Sequence, residues 1–274
     1  TQIGTLNTDH LDSIDATDDA LSLPVAQYQA LGSIALTAGD TVTLADTGAN
    51  IAALSVAQLG ALATNHIDQI DATDDTLVLS AAKAVALGSV TVATGDTFTL
   101  SDTGANIAAL TATQIGTLNT DHLDSIDATD NALSLTVAQY QALGSIALTG
   151  GDTVTLADTG ANIAALSSAA IGALAGNGID TIDASDNALS LTVAQYQALG
   201  SVTLTAGDTV TLADTGANVA ALSSAAIGAL AGNGVDTIDA TDDTLTLTAA
   251  KAAALGSVTV ATGDTFTLSD TGAN

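Results

Sequence analysis

The chain has 274 residues, 47% of them apolar, with three Tyr and two Phe as the whole aromatic complement, no Cys, Met or Trp, and a net charge of −28. That charge excludes nucleic acid as a partner, because phosphate binding requires a basic footprint, and it disfavours anionic membrane surfaces. The lack of Cys excludes a disulfide scaffold, and no apolar run approaches the roughly 18 residues of a membrane span, so no membrane insertion is expected.

In chain order, residues 1–10 (TQIGTLNTDH) show no signal-like pattern and read as the interior of something longer. Residues 8–19 (TDHLDSIDATDD) place Asp9, Asp12, Asp15 and Asp18 at every third position and add Asp19. A brief strand is expected at ALSL (20–23), and again at NIAAL (50–54). Ser or Thr then opens a helical pattern of about two turns in LTVAQYQAL (191–199) and LSVAQLGAL (54–62), with Gly200 as a helix C-cap. SVTLTAGDTVTLAD (201–214) alternates apolar residues and Thr around a Gly-Asp turn and reads as strand, turn, strand.

The whole is a tandem repeat. DTGAN occurs at 46–50, 102–106, 158–162, 214–218 and 270–274, at intervals of 56 residues. The units are a partial repeat 1–50 and full repeats 51–106, 107–162, 163–218 and 219–274. Some carry VAQYQALG and others AAKAVALG or AAKAAALG. Units this short do not bury separate cores, and near-identical beads would mispair, so stacking against equivalent neighbours is expected. The fold expected from strand-rich halves is all-β or mainly β: a β-solenoid with two coils per 56-residue repeat and short helical corners.

Stacking would set each acidic side chain above its equivalents, Asp180 between Asp124 and Asp236. Two carboxylates about 5 Å apart in water repel by roughly 0.8 kcal/mol. The chain's 30 acidic residues, all Asp, face only Lys83 and Lys251. Three offsets remain: screening by monovalent ions, hydrogen bonds from turn N–H groups, or Ca²⁺, which takes six to eight oxygen ligands. The candidate Ca²⁺ ligands are Asp12, Asp15 and Asp18; Asp68, Asp71 and Asp74; Asp124, Asp127 and Asp130; Asp180, Asp183 and Asp186; and Asp236, Asp239 and Asp242. The DTGAN and AGDT segments need no more than turn chemistry.

GNGIDTI (176–182) and GNGVDTI (232–238) resemble part of the calcium-binding nonapeptide of RTX proteins, matching at Gly176, Gly178, Asp180, Ile182 and at Gly232, Gly234, Asp236, Ile238. They depart from it at Ala175 and in recurring at 56 rather than nine residues. Over its full length the chain resembles the Ala/Thr/Asp-rich tandem repeat arrays of giant bacterial surface and secreted proteins. That resemblance implies an extracellular or cell-surface location and a role as adhesin, surface layer or filament.

His10, His66 and His122 recur at one position, and read as solvent-facing turn residues or as ligands of a transition metal. Lys83 and Lys251 read as solvated surface. No nucleophile-and-base constellation, Walker or Rossmann pattern is present, so no enzyme is expected. TVT and TFT triplets, once per repeat, raise a minor ice-binding reading. The expectation is a structural segment of a long extracellular bacterial surface protein, forming a stalk, filament or layer, with a calcium-dependent adhesin as alternative. Its partners would be further repeats or end-to-end copies, and an unknown surface ligand.

Overall fold

The computed structural model describes residues 2–8 and 10–271, so Asp9 and the last three residues of the fifth DTGAN lie outside the described residues. The protein is α/β, about 34% helical and 28% strand, with parallel sheets flanked by helices. It is not the all-β or mainly-β solenoid expected from the strand-rich halves, because the Ala-rich segments between strands are capped helices. The residues form two compact units, 1–133 with 139–152, and 134–138 with 153–274.

Each repeat supplies four strands. In the second repeat these are a ladder strand Gln69–Ala72, a lead strand Thr76–Leu79, a short strand Thr91–Val92 and a long strand Thr97–Asp102. A sheet combines lead and long strands with the ladder and short strands that follow in sequence. In the first unit, Ala20–Leu23, Thr41–Asp46, Gln69–Ala72 and Thr91–Val92 pair in that order. Thr76–Leu79, Thr97–Asp102, Ser125–Ala128 and Ala147–Leu148 pair likewise. In the second unit, Ala188–Leu191, Thr209–Asp214, Thr237–Ala240 and Thr259–Val260 repeat the order. All these pairs are parallel, and parallel neighbours require long crossovers, which the helices supply.

The strand at NIAAL is the main misreading. Gly48–Ala52 is helical, because Thr47 caps it through a bond from Asn50 N–H (3.3 Å) and the Asp74 carboxylate takes Gly48 N–H. Ala is the best helix former, and a capped Ala-rich segment of five or six residues is helical once packed. The expected strand at 20–23 and the Ser- and Thr-capped helices are present: Val56–Gly60 and Val193–Ala198 carry reciprocal capping boxes from Ser55/Gln58 and Thr192/Gln195. Gly200 follows its helix at φ +61, the left-handed position where Gly carries no Cβ penalty.

The strands alternate buried and outward residues. Val42 and Leu44 of TVTLAD and Ile70 and Ala72 of QIDA are buried. The core is Leu, Ile, Val and Ala between sheets and helices, with Phe98 its largest fully enclosed side chain. At Gly48, Gly104, Gly160 and Gly216, which open the GAN helices, an added Cβ would lie 1.7–1.8 Å from the carbonyl oxygen of Thr76, Ala132, Ala188 or Thr244. This close approach brings each helix against the next lead strand.

A methyl group at that point forces backbone apart. Gly160→Ala is expected to destabilise the protein by about 3 kcal/mol, read from urea unfolding, whereas Gly207→Ala, at an open turn with nothing within 4 Å, costs under about 1 kcal/mol.

Candidate functional site: the aspartate ladder

The ladder residues fall into three structural classes. The first of each triad accepts a backbone N–H from the preceding long strand: Asp68 from Val42, Asp124 from Phe98, Asp180 from Val154 and Asp236 from Val210, each at 2.8 Å. Each returns its own N–H to the carbonyl of that same residue at 2.9 Å. The last of each triad accepts the N–H of the glycine that opens a helix: Asp74 from Gly48, Asp130 from Gly104, Asp186 from Gly160 and Asp242 from Gly216, at 2.8–2.9 Å. A carboxylate on an orphan helix donor satisfies it and favours the positive end of the dipole.

The middle residues differ. Asp71, Asp127, Asp183 and Asp239 point outward beside Ala45, Ser101, Ala157 and Ala213 of the neighbouring strand. Asp127 accepts hydroxyl bonds from Ser101 (2.8 Å) and Thr149 (3.1 Å). In the first repeat, Asp12, Asp15 and Asp18 lie exposed.

Within each unit the ladder strands of successive repeats are not hydrogen-bonded neighbours. Asp71 and Asp127 belong to ladder strands of separate sheets, and so do Asp183 and Asp239. A small residue, Ala or Ser, sits beside each of them in the adjacent strand. Backbone N–H donors to the first and last residues of each triad favour the charged carboxylates, as the second of the three offsets requires.

Two further Asp classes, read from sequence as local turns, also reach across the fold. Asp40, Asp96, Asp152, Asp208 and Asp264 accept the N–H of Ala16, Ala72, Ala128, Ala184 and Ala240 at 2.7–2.9 Å. Asp46, Asp102, Asp158 and Asp214 accept the first N–H of the preceding helix, from Val25, Ala81, Val137 and Val193, at 3.0 Å. Their other oxygen takes the next Thr N–H and an Asn amide, as at Asp158 with Thr159 and Asn162. The recurrence of these Asp residues was visible in sequence, but their partners 21 to 24 residues away were not.

These settings move the carboxyl pKa values in opposite directions. At Asp46 the Asn50 amide, outweighing desolvation, holds the carboxyl below its usual range. At Asp102, Asp158 and Asp214 burial opposes ionisation, but the Asn side chain and two backbone donors outweigh it and the carboxyl is again lowered. Burial raises Asp96, aided by Asp71, Asp75 and Asp74, and raises Asp208, aided by Asp183 and Asp186. Asp121 is raised by burial against the pull of His122. Asp208 is 8% exposed, and its Oδ1 has no hydrogen-bond partner.

The lysines are not free surface. Lys83 and Lys251 are partly buried, and their Nζ donates to Ala52 O and Ala220 O at the C-terminal ends of helices. Gln139 and Gln195 occupy the same repeat position and donate to Ala108 O (2.9 Å) and Ala164 O (2.8 Å). Lys is thus a substitute for Gln in one conserved task, with a charge that suits a helix C-terminus.

His10, His66 and His122 are exposed and hold positive φ of 65, 59 and 66; Gly178 and Gly234 take the same place at 84 and 85. Their recurrence marks a left-handed turn. Two clefts of about 730 and 640 Å³, one in each unit, lie beside that turn, the first lined by Tyr28, Leu36, Asn65 and His66, the second by Tyr196, Leu204, Asn233 and Gly234. In each, Asn donates to the Tyr hydroxyl, at 2.9 Å from Asn65 and 2.7 Å from Asn233. In the Lys-bearing repeat Ala84 replaces Tyr, Asp121 replaces Asn, and a smaller cleft of about 220 Å³ remains between them.

Among the described residues, no three His or Asp side chains are grouped closely enough to hold a metal ion, and no helix is long and apolar enough to cross a membrane. No protein-family model matches the chain, nor does any curated protein sequence.

Loss of the Asp186 helix cap should cost about 1–2 kcal/mol in Asp186→Ala, whereas Asp183→Ala should be neutral or stabilising because it removes a charge beside buried Asp208. Equal losses in urea unfolding would refute the division. Relief of left-handed strain in His66→Gly should raise stability by up to about 1 kcal/mol after the entropy of Gly is deducted. Asp46, Asp102, Asp158 and Asp214, with lowered values, contribute stability that is present above the ordinary carboxylate range and lost as pH falls through their folded-state values. Asp96, Asp121 and Asp208 act in the reverse sense, contributing below that range and losing the contribution as pH rises through their raised values. Urea midpoints measured downward from the ordinary carboxylate range should therefore fall less steeply for Asp158→Asn than for the wild type.

Proposed function

We propose that the chain is a structural segment of a long extracellular bacterial surface protein, a repeat array that spans distance as a stalk, filament or layer. The observation that carries this reading is the use of the Asp side chains. The same carboxylate-to-amide bonds return every 56 residues, from Asp68 to Asp236 on strands and from Asp74 to Asp242 on helix ends. Side chains with the chemistry to bind or react serve instead to fasten one element to the next. The charge of −28 suits this role, since it keeps a long polymer soluble and self-repelling. On this reading the protein has no catalytic centre.

A calcium-dependent adhesin segment is the second reading, and one observation favours it. The charges of Asp71, Asp74 and Asp75 oppose ionisation of Asp96, and those of Asp183 and Asp186 oppose ionisation of Asp208, whose buried Oδ1 is unpartnered. A divalent cation held by fewer than three of these carboxylates and by water would offset this repulsion.

Thermal unfolding by far-UV circular dichroism, in millimolar Ca²⁺ and in excess EGTA, separates the two. The structural reading expects the same midpoint in both, because backbone donors already satisfy the first and last carboxylate of each triad. A large calcium-dependent rise would overturn it in favour of the adhesin reading.

A further inference from the structure

The cleft between Ala84 and Asp121 joins two departures from the pattern of its Tyr-bearing counterparts. Residue 84 stands one 56-residue period after Tyr28 and two before Tyr196. Both tyrosines are buried, at 8% and 9% exposure. Each reaches from its helix, Val25–Ala30 or Val193–Ala198, to the Asn of the turn that follows, Asn65 or Asn233. In the helix Ala81–Ala86 the same position is Ala84, so a phenol ring and its hydroxyl are missing from that span. The cleft of about 220 Å³ lies at the equivalent place, bounded by Ala84 and Val85 of this helix, by Thr117 and Leu118 of the helix Ala112–Thr120, and by Asp121. Thr113 and Thr117, in place of Ala57 and Ala61, narrow it without closing it.

The far end of the span differs as well. Asp121 is 8% exposed, and among the described residues its carboxylate accepts no hydrogen bond. Asp124, three residues on, takes the N–H of Phe98. Burial opposes ionisation of Asp121, with His122 pulling the other way. A buried acceptor without a donor is costly, so the carboxylate favours any donor that enters the cleft. The Asn amide at this position donates to the Tyr hydroxyl, whereas a carboxylate offers acceptors only. The polarity of the bond is therefore reversed here: a hydroxyl in this place would donate.

Size, lining and charge specify the occupant. An apolar cavity of about 150 Å³ takes benzene, so the room here is that of a single aromatic ring. Ala84, Val85 and Leu118 present aliphatic surface to it. The buried polar group at its end is an acceptor, which calls for a ring that carries a donor. Asp121 and the chain's net charge of −28 repel anions.

We infer that this cleft binds a phenol, its aromatic ring seated against Ala84, Val85 and Leu118 and its hydroxyl donating to the Asp121 carboxylate. The ring takes the place that Tyr28 and Tyr196 fill from within the chain. The O–H to carboxylate bond is of the short, charge-assisted kind. This site goes beyond the structural role proposed above and does not rest on it.

The test is a ligand-observed NMR titration of the 274-residue chain near neutral pH. The probes are p-cresol, which is the tyrosine side chain as a free molecule, and 4-methylanisole, the same ring with its hydroxyl methylated. The wild type should bind p-cresol saturably with a Kd of about 1 mM or tighter, a range open to a ligand of this size. Binding of 4-methylanisole should be weaker by about tenfold or more, because it has no donor for the carboxylate. Ala84→Tyr places a ring in the cleft and should abolish the p-cresol site. In Asp121→Ala the two probes should bind within about twofold of each other. Far-UV circular dichroism checks that each variant keeps its fold; should Thr113 and Thr117 crowd the new ring and unfold Ala84→Tyr, Asp121→Ala carries the test alone. No saturable binding, equal affinity of the two probes for the wild type, or binding that the variants leave unchanged would each overturn the site. A complex with N-acetyl-tyrosinamide tighter than that with p-cresol would assign the ring to a tyrosine side chain of a polypeptide, and a weaker one to a free phenol.

Discussion

The fold depends on one interaction repeated throughout: a carboxylate from a later segment accepting a backbone N–H from an earlier one, 21 to 26 residues away. Short strands and helices of five or six residues leave many donors without partners inside their own element. A helix of that length in isolation is far below the marginal length for stability in water. Asp supplies a short, stiff acceptor that reaches such donors without the entropy cost of a long side chain. Each bond also couples consecutive passes of the chain, so that local structure and stacking are established together.

This makes sense of a composition that looks self-destructive. A charge of −28 with two cations would be costly if the carboxylates faced one another. Instead, ladder strands of successive repeats fall in different sheets, and Ala45, Ser101, Ala157 or Ala213 separates the outward Asp from the next strand. The residual strain is local, at Asp96 and Asp208, where burial and neighbouring carboxylates oppose ionisation. The interchange of Gln139 and Gln195 with Lys83 and Lys251 shows the same economy: what matters at that position is a long donor reaching a helix-end carbonyl.

The repeat period, the Ser- and Thr-capped helices, the ALSL and TVTLAD strands and the left-handed Gly200 were legible because each is written in adjacent residues. The α/β class was not. NIAAL carries an apolar pattern suited to either state; the Thr47 cap is local, but the second cap, Asp74, lies 26 residues from Gly48, where no local pattern discloses it. The same limit applies to the site: the spacing of Asp180, Asp183 and Asp186 was plain, but their separate duties follow from which face meets a strand, solvent or a helix end. Lys83 was misread as surface because its acceptor, Ala52 O, belongs to a distant helix end.

The paired substitutions at Tyr28/Asn65, Ala84/Asp121 and Tyr196/Asn233 impose a grammar on copy number. Near-identical repeats invite unequal recombination, which adds or removes whole units. Deleting 163–218 keeps a Tyr-bearing repeat ahead of an Asn-bearing one, because Tyr140 is then followed by Asn233 in the cycle. Deleting 107–162 would set Ala84 before Asn177 and break the match. Loss of one whole repeat would thus keep the Tyr–Asn bonds or break one of them, according to which unit is lost.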